Sequence, residues 1–316
     1  MRQQTVPRDT ARQPATRPAG PRAELSLAAR QARLAWLLLA PTLAVIVLVA
    51  LYPLAQTLYL SLTNARLASA TPAEFVGLEN YQFLFQDFAF RDAVQITVLF
   101  TLITVTFEFL LGLLIALVIN SPFRGRGPMR AAMLIPWAIP TVISAQMWKW
   151  MYNDVYGVIN DLVVNKLHLA ERPIAFVAAD TTTALLSIAA VDIWKTTPFV
   201  ALLLLAGLQV IPGDVYEAAD VDGATRPQQF FRITLPLLRP AILVALIFRT
   251  LDALRVFDVF FVMFGARPDM QPLAVYAQQY LVSFSDLGYG SAICVAIFAL
   301  IAVFVAMYVS IFRVEE

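Results

Sequence analysis

Residues 211–236 read Ile211-Pro212-Gly213-Asp214-Val215-Tyr216-Glu217-Ala218-Ala219-Asp220-Val221-Asp222-Gly223-Ala224-Thr225-Arg226-Pro227-Gln228-Gln229-Phe230-Phe231-Arg232-Ile233-Thr234-Leu235-Pro236. Local chemistry makes this stretch two short helices. Asp214 is placed to N-cap the first, with Glu217 three residues on in a box-like pairing. Gly223 suits the left-handed position that stops a helix. Thr225 with Gln228 forms a second capping box, and Pro236 is expected to end that helix. Ala218 and Ala219 give the first helix a small-residue surface against which a partner can seat closely.

Working outward, the loop is flanked by long apolar runs. The chain has 316 residues, of which 59% are hydrophobic and 14% charged. Its mean hydropathy is +0.71. A soluble domain runs at roughly 45–50% apolar and about 25% charged. The composition excludes a cytosolic enzyme, a disordered regulator and a disulfide-stapled secreted domain, and leaves a polytopic membrane protein. The single cysteine, Cys294, cannot form an intrachain disulfide, and the single histidine, His168, has no His or Cys neighbour with which to hold a metal. No metal site is expected.

Residues 1–33, rich in Arg, Pro, Ala and Gln, read as a disordered N-terminal tail. The transmembrane domain then covers 34–316. Apolar runs of roughly 20 residues span a bilayer as helices, because only helices satisfy their own backbone in lipid. Six spans are predicted, near 34–62, 93–119, 131–152, 181–209, 240–263 and 289–312, with the loop at about 210–239. The third carries Pro136, Pro140, Gln146 and Lys149, so a kink and a polar face are expected there. Fourteen arginines, from Arg2 in the tail to Arg313, fall on one side, against five Arg or Lys on the other. The positive-inside rule puts both termini in the cytoplasm.

The stretch at 211–236 resembles the EAA loop of ATP-binding-cassette importer permeases. That pattern is Glu-Ala-Ala, three residues, Gly, nine residues, Ile, one residue, Leu-Pro. Glu217, Ala218, Ala219, Gly223, Ile233, Leu235 and Pro236 fill every fixed position. Phe75-Val76-Gly77-Leu78-Glu79-Asn80-Tyr81, Leu134-Ile135-Pro136-Trp137-Ala138-Ile139-Pro140 and Trp194-Lys195-Thr196-Thr197-Pro198-Phe199 are similar to segments of the carbohydrate branch, closest to the maltose and trehalose oligosaccharide permeases. The chain departs from that branch at Phe264-Gly265-Ala266-Arg267-Pro268, where Thr-x-Gly-Gly-Pro is common.

The resemblance implies an all-α membrane protein with the type I importer permease fold, in a bacterial or archaeal cytoplasmic membrane. It also implies a subunit of an ATP-driven sugar importer, paired with a second, homologous permease, normally as a heterodimer. Two ATPase subunits would bind ATP and Mg, and an extracytoplasmic binding protein would deliver a disaccharide or oligosaccharide. The chain has no phosphate-binding loop of its own, so no cofactor and no catalytic residue are expected in it. The first loop helix would be the coupling helix, with Glu217, Ala218, Ala219, Asp222, Gly223 and Ala224 at the ATPase cleft.

The substrate path is expected on the fourth and fifth spans. Arg249, Asp252, Arg255 and Asp258 stand three apart on the fifth, and Asp192, Lys195, Thr196, Thr197 and Phe199 lie on the fourth. Charges at membrane depth face a cavity or one another. Asp252, Arg255, Arg249, Asp192, Thr196 and Phe199 are therefore path candidates, with i,i+3 ion pairs such as Asp192–Lys195 as the purely structural alternative. Glu108 stands alone and is expected to pack or to meet a partner. Trp148, Trp150 and Tyr152 suit an interfacial aromatic belt or a sugar-stacking surface. Two other functions fit less well. An ion-coupled secondary transporter needs no such loop, and its halves should show internal symmetry. A non-transporting scaffold for an ATPase needs no polar groups in its spans.

Overall fold

Backbone amides surrounded by hydrocarbon must pair within their own segment, and the apolar runs accordingly fold as helices. The computed structural model describes residues 21–67, 69, 71–265 and 267–311, with side chains from Ala29 onward. The first twenty residues of the expected tail, Ala266 and Arg313 lie outside the described residues.

The chain divides into two units, 1–56 and 57–316. In the first, α1 (Pro21–Ile46) runs through a π turn at Val47–Leu51 into α2 (Tyr52–Leu60). Pro21–Arg33, which the expected tail includes, is helical. Its Ala, Leu, Glu, Arg and Gln residues are strong helix formers and Pro21 suits a first position. Every described side chain from Ala29 to Gln56 is exposed, and Ala29–Leu60 is apolar enough to cross a bilayer.

The second unit begins with a short helix, α3 (Glu79–Gln86), followed by α4 (Phe88–Asn120), which Asp87 N-caps through the Ala89 amide at 3.0 Å. The third span differs from a single kinked helix. It comprises α5 (Arg126–Met133), α6 (Ile135–Ala138) and α7 (Thr141–Met151), bent by 87° at the break. Pro140 has no amide to donate, and a residue before proline is pushed out of the helical region. Ile139 obeys, with ψ 131°.

After the one-turn α8 (Val158–Asn160), α9 (Thr181–Val210) follows, N-capped by Asp180 through the Thr183 amide at 3.1 Å. The same hydrogen bonds hold the Asp180 carboxyl below its usual range. α9 packs along α4 and α12, and at Gly207 the approach is so close that a Cβ would stand 2.4 Å from the Cβ of Ala241. Small residues at such crossings are what dense helix packing in a membrane requires.

The loop folds as α10 (Gly213–Val221) and α11 (Arg226–Gln229). Two expectations fail here. Pro212, not Asp214, is the N-cap, and Asp214 instead sits in the first turn with its carboxylate on the Val215 amide at 3.0 Å. Nor does Pro236 end the second helix. A π turn at Phe230–Thr234 carries α11 straight into α12 (Leu235–Leu254). The wide turn makes room for the proline ring, and the arrangement repeats in the first span, where a π turn ends two residues before Pro53. The fifth span is therefore longer than expected, and it breaks at Arg255–Phe257 before α13 (Asp258–Phe264). The short α14 (Leu273–Gln278) and the last span, α15 (Leu287–Ile311), are the last helices of the described residues. By length and composition, five helices among the described residues are able to cross a membrane, or six with the bent third span.

Candidate functional site

Arg249 of α12 is the centre of the polar interior. Its Nε donates to Glu108 Oε2 at 2.5 Å and its Nη2 to Glu108 Oε1 at 2.9 Å, a two-point fork from α12 to α4. Nη2 also reaches Asp192 Oδ2 at 3.0 Å, and Nη1 reaches Asp252 Oδ2 at 2.8 Å. The Thr196 hydroxyl lies 2.5 Å from Glu108 Oε1 and 2.6 Å from the Asp192 carbonyl oxygen. Glu108 is therefore not the isolated acid expected. It is fully buried and holds α4, α9 and α12 together through one guanidinium. The planar, always charged guanidinium is the side chain suited to that task.

The Asp192–Lys195 pair does not form. Asp192 turns to Arg249, and the Lys195 ammonium donates instead to the carbonyl oxygens of Ile139 at 2.7 Å and Trp137 at 3.4 Å. The break before Pro140 leaves those carbonyls without their helical amides, and a buried carbonyl must find a donor. One turn along α9, Phe199 stacks on Trp137, with ring centroids 5.8 Å apart and planes 11° from parallel. Phe199 thus supports the broken span.

Beside this network lies a cavity of about 190 Å³. Asp192, Lys195, Thr196, Arg249, Asp252, Arg255 and Asp258 supply its polar lining, with Thr141 of α7 opposite. Five of the six path candidates meet here, and Phe199 does not line it. Asp252 is an accessible acid of this lining, its side chain 63% exposed with only Oδ2 taken by Arg249. Arg255 and Asp258 are exposed and make no ion pair among the described residues, because the helix breaks between them. Of the alternative i,i+3 ion pairs on the fifth span, Arg249–Asp252 forms. Trp148 and Tyr152 form neither a belt nor a stacking surface. Trp148 packs edge-on to Trp194, and buried Tyr152 donates to the Ser187 carbonyl at 3.1 Å. Trp150 remains exposed.

A larger groove, about 510 Å³, lies between α4 and α9 at the end of the bundle away from the loop. Its walls are Ile96, Leu99, Ile103, Leu185 and Leu186, and Asp269 on its rim is engaged by Arg267 and Thr181. The Arg267 hydrogen bonds hold the Asp269 carboxyl below its ordinary range. Among the described residues, no group of three His, Cys, Asp or Glu side chains stands together to hold a metal ion.

The loop forms a second site. Gly223, at φ +75°, donates to the Asp220 carbonyl at 3.1 Å, and Ala224 donates to that of Ala219 at 2.9 Å. This pair of bonds is the Schellman closure of α10. The Thr225–Gln228 capping box is formed as expected. Gln229 Nε2 then bridges Asp220 Oδ1 at 2.5 Å and the Ala224 carbonyl at 3.1 Å, and the Tyr216 hydroxyl meets that of Thr234 at 2.9 Å. Glu217, Ala218, Asp222 and Gly223 face outward, Ala224 is half-buried, and Ala219 turns inward and is buried. Ala219 thus packs the loop onto its own chain. The sequence reading missed Val221, the neighbouring aliphatic side chain, which is 88% exposed. A bare valine at the end of a polar helix is the one signal that marks it.

Comparison with known proteins places this geometry. The family model of the binding-protein-dependent transport system inner membrane component matches residues 108–313. The sulfoquinovosyl glycerol transport system permease protein SmoG of Agrobacterium fabrum is 47% identical over 285 residues, covering 90% of this chain and 91% of its own. The trehalose/maltose transport system permease protein MalF of Thermococcus litoralis is 41% identical over 286 residues, covering 90% and 95%. A chain of a bacterial alginate ABC transporter, solved in complex with an alginate pentasaccharide-bound periplasmic protein, shares the fold. It superposes with a TM-score of 0.77 at 22% identity, covering 90% of this chain and 95% of that one. From Glu108 at the buried network, through the closed loop, to the last span, the chain belongs to the family of binding-protein-dependent transport system inner membrane components, the permeases of ABC transporters.

Proposed function

We propose that this chain is one of two permease subunits of an ATP-driven importer for a disaccharide or oligosaccharide, with both termini in the cytoplasm. The observation that carries this reading is mechanical. The loop with its exposed Glu217, Ala218, Val221, Asp222 and Gly223 is continuous, through one helical rod from Arg226 to Leu254, with Arg249 and Asp252 at the cavity. A displacement of the loop is a displacement of the cavity wall.

ATPase subunits supply the ATP and Mg chemistry in the cytoplasm, and this chain converts their closure into motion. Its coupling helix α10 sits in an ATPase cleft. The rod transmits the push, and the spans rock between inward-open and outward-open arrangements around the buried Arg249 network. At about 190 Å³ the cavity is smaller than the roughly 300–1,000 Å³ usual for ligand pockets, which suits half of a site shared with a second permease. Its lining alternates carboxylates with cations, so it both accepts from and donates to hydroxyl groups. The names of two relatives share a glycoside cargo, sulfoquinovosyl glycerol in one and trehalose or maltose in the other.

Purification of the tagged chain from its native membrane tests this reading. An ATPase, a second permease and a sugar-binding protein should co-purify. A chain that comes out alone and supports ion-driven uptake in vesicles overturns the reading in favour of a secondary transporter. An ATPase that co-purifies without any uptake leaves a scaffold. A second test concerns the cavity. Asp252 is largely exposed, and without it Arg249 keeps its two buried carboxylate partners, Glu108 and Asp192. Asp252→Asn should therefore leave complex yield unchanged while lowering sugar uptake about tenfold or more, the cost of one substrate contact of about 1.4 kcal/mol. Loss of the complex instead would make Asp252 a structural residue.

A further inference from the structure

The break of the third span is held by charge. Beyond Ala138 the helix stops, Pro140 has no amide, and α7 restarts at Thr141, which lines the cavity. The carbonyls of Trp137 and Ile139 lose their helical partners at this point. Lys195 supplies both. The same ammonium belongs to the cavity lining, together with Asp192 and Asp252. A second lysine acts on the far side of the break, where Lys149 of α7 donates to the Val262 carbonyl of α13 at 3.0 Å. The segment 134–140 thus has two ties to α9, the Lys195 ammonium and the Trp137–Phe199 stack, and one of them reaches the substrate cavity.

We propose that Lys195 is a positioning residue for transport: its ammonium fixes the broken third span against α9 and so sets Thr141 in the cavity wall. This rests on the importer reading above. Intramembrane lysines pair with acids or with backbone carbonyls. Here the ammonium takes carbonyls although three carboxylates share its cavity, so the hold on span three is specific. A methyl-ended side chain of similar length fills the space but leaves the two carbonyls without a donor. A guanidinium restores donors. Loss of the aromatic stack leaves the ammonium tie intact.

The test uses the full complex and three variants. Lys195→Met is expected to lower sugar uptake at least tenfold while ATP hydrolysis persists, so that more ATP is consumed per sugar moved. Lys195→Arg is expected to stay within threefold of the parent, and so is Phe199→Leu. A second measurement needs neither sugar nor ATPase. In a Cys294→Ser background, Trp137→Cys with Phe199→Cys places one thiol on each side of the aromatic contact. Their oxidative cross-linking in membrane vesicles should slow at least tenfold when Lys195→Met is added, and recover with Lys195→Arg. Uptake within threefold of the parent for Lys195→Met overturns the proposal, as does Lys195→Arg behaving like Lys195→Met. Lys195→Met chain missing from the membrane, with Lys195→Arg present, makes the ammonium a folding group and also overturns it. If no ATPase is present but cross-linking depends on Lys195 as described, the importer reading fails while the tie itself stands.

Discussion

Arg249→Met is expected to remove nearly all folded chain from the membrane. Arg249 is 3% exposed and touches three carboxylates, of which Glu108 is fully buried and Asp192 nearly so. Taking the guanidinium away leaves the two buried acids, Glu108 and Asp192, without that counter-charge. Removing one partner of a buried pair costs about 3–5 kcal/mol. Whole domains are stable by only about 5–15 kcal/mol, so the loss is a large fraction of the total. The same principle makes the remedy predictable, because a buried pair replaced at both ends is tolerated far better than one broken at one end. Glu108→Gln added to Arg249→Met should therefore recover a substantial part of the lost protein. Immunoblotting of membranes and the melting midpoint in detergent measure both. An Arg249→Met chain with parental yield and melting point would show that the network contributes little to folding.

That network marks the boundary of what was legible from sequence. Helix existence was plain, because runs of twenty or more apolar residues in a bilayer leave the backbone no alternative. The loop was legible for a related reason. Gly223, Thr225 and Gln228 act on their own neighbours, so their chemistry is local and the closure and capping box follow from it. Partners across helices were not legible. Glu108 and Arg249 lie 141 positions apart, and nothing in the sequence says which acid a guanidinium chooses. The i,i+3 rule favoured Asp192–Lys195, but the rule knows nothing of the free carbonyls at Ile139 and Trp137. Pro136 and Pro140 did announce a break, and a break at membrane depth implies orphan carbonyls looking for a donor. Following that step would have led to Lys195. The two π turns that precede Pro53 and Pro236 were illegible as well. Proline predicts an interrupted ladder, but whether the chain stops or widens by one residue depends on the packing around it, and at Pro236 the helix runs on.

Gly223→Asp is expected to leave the chain folded in the membrane and to abolish uptake, by a hundredfold or more, with loss or uncoupling of the ATPase. A left-handed residue costs most side chains about 1–2 kcal/mol, and Asp and Asn are the ones that visit that region most readily. Space is available too, since a Cβ at Gly223 meets nothing within 4 Å of its own chain. The internal cost is therefore small, and any large effect has to come from something outside this chain that approaches the bend. Gly207 provides the control. There a Cβ would stand 2.4 Å from Ala241 Cβ and 2.8 Å from Leu238 Cδ1, so Gly207→Asp should fail by misfolding. The two glycines separate docking from packing with one kind of substitution. Gly223→Asp should give normal amounts of chain and no transport, and Gly207→Asp should give little chain at all. Parental uptake by Gly223→Asp would mean that no partner seats against this turn, and α10 would lose its role as the coupling helix.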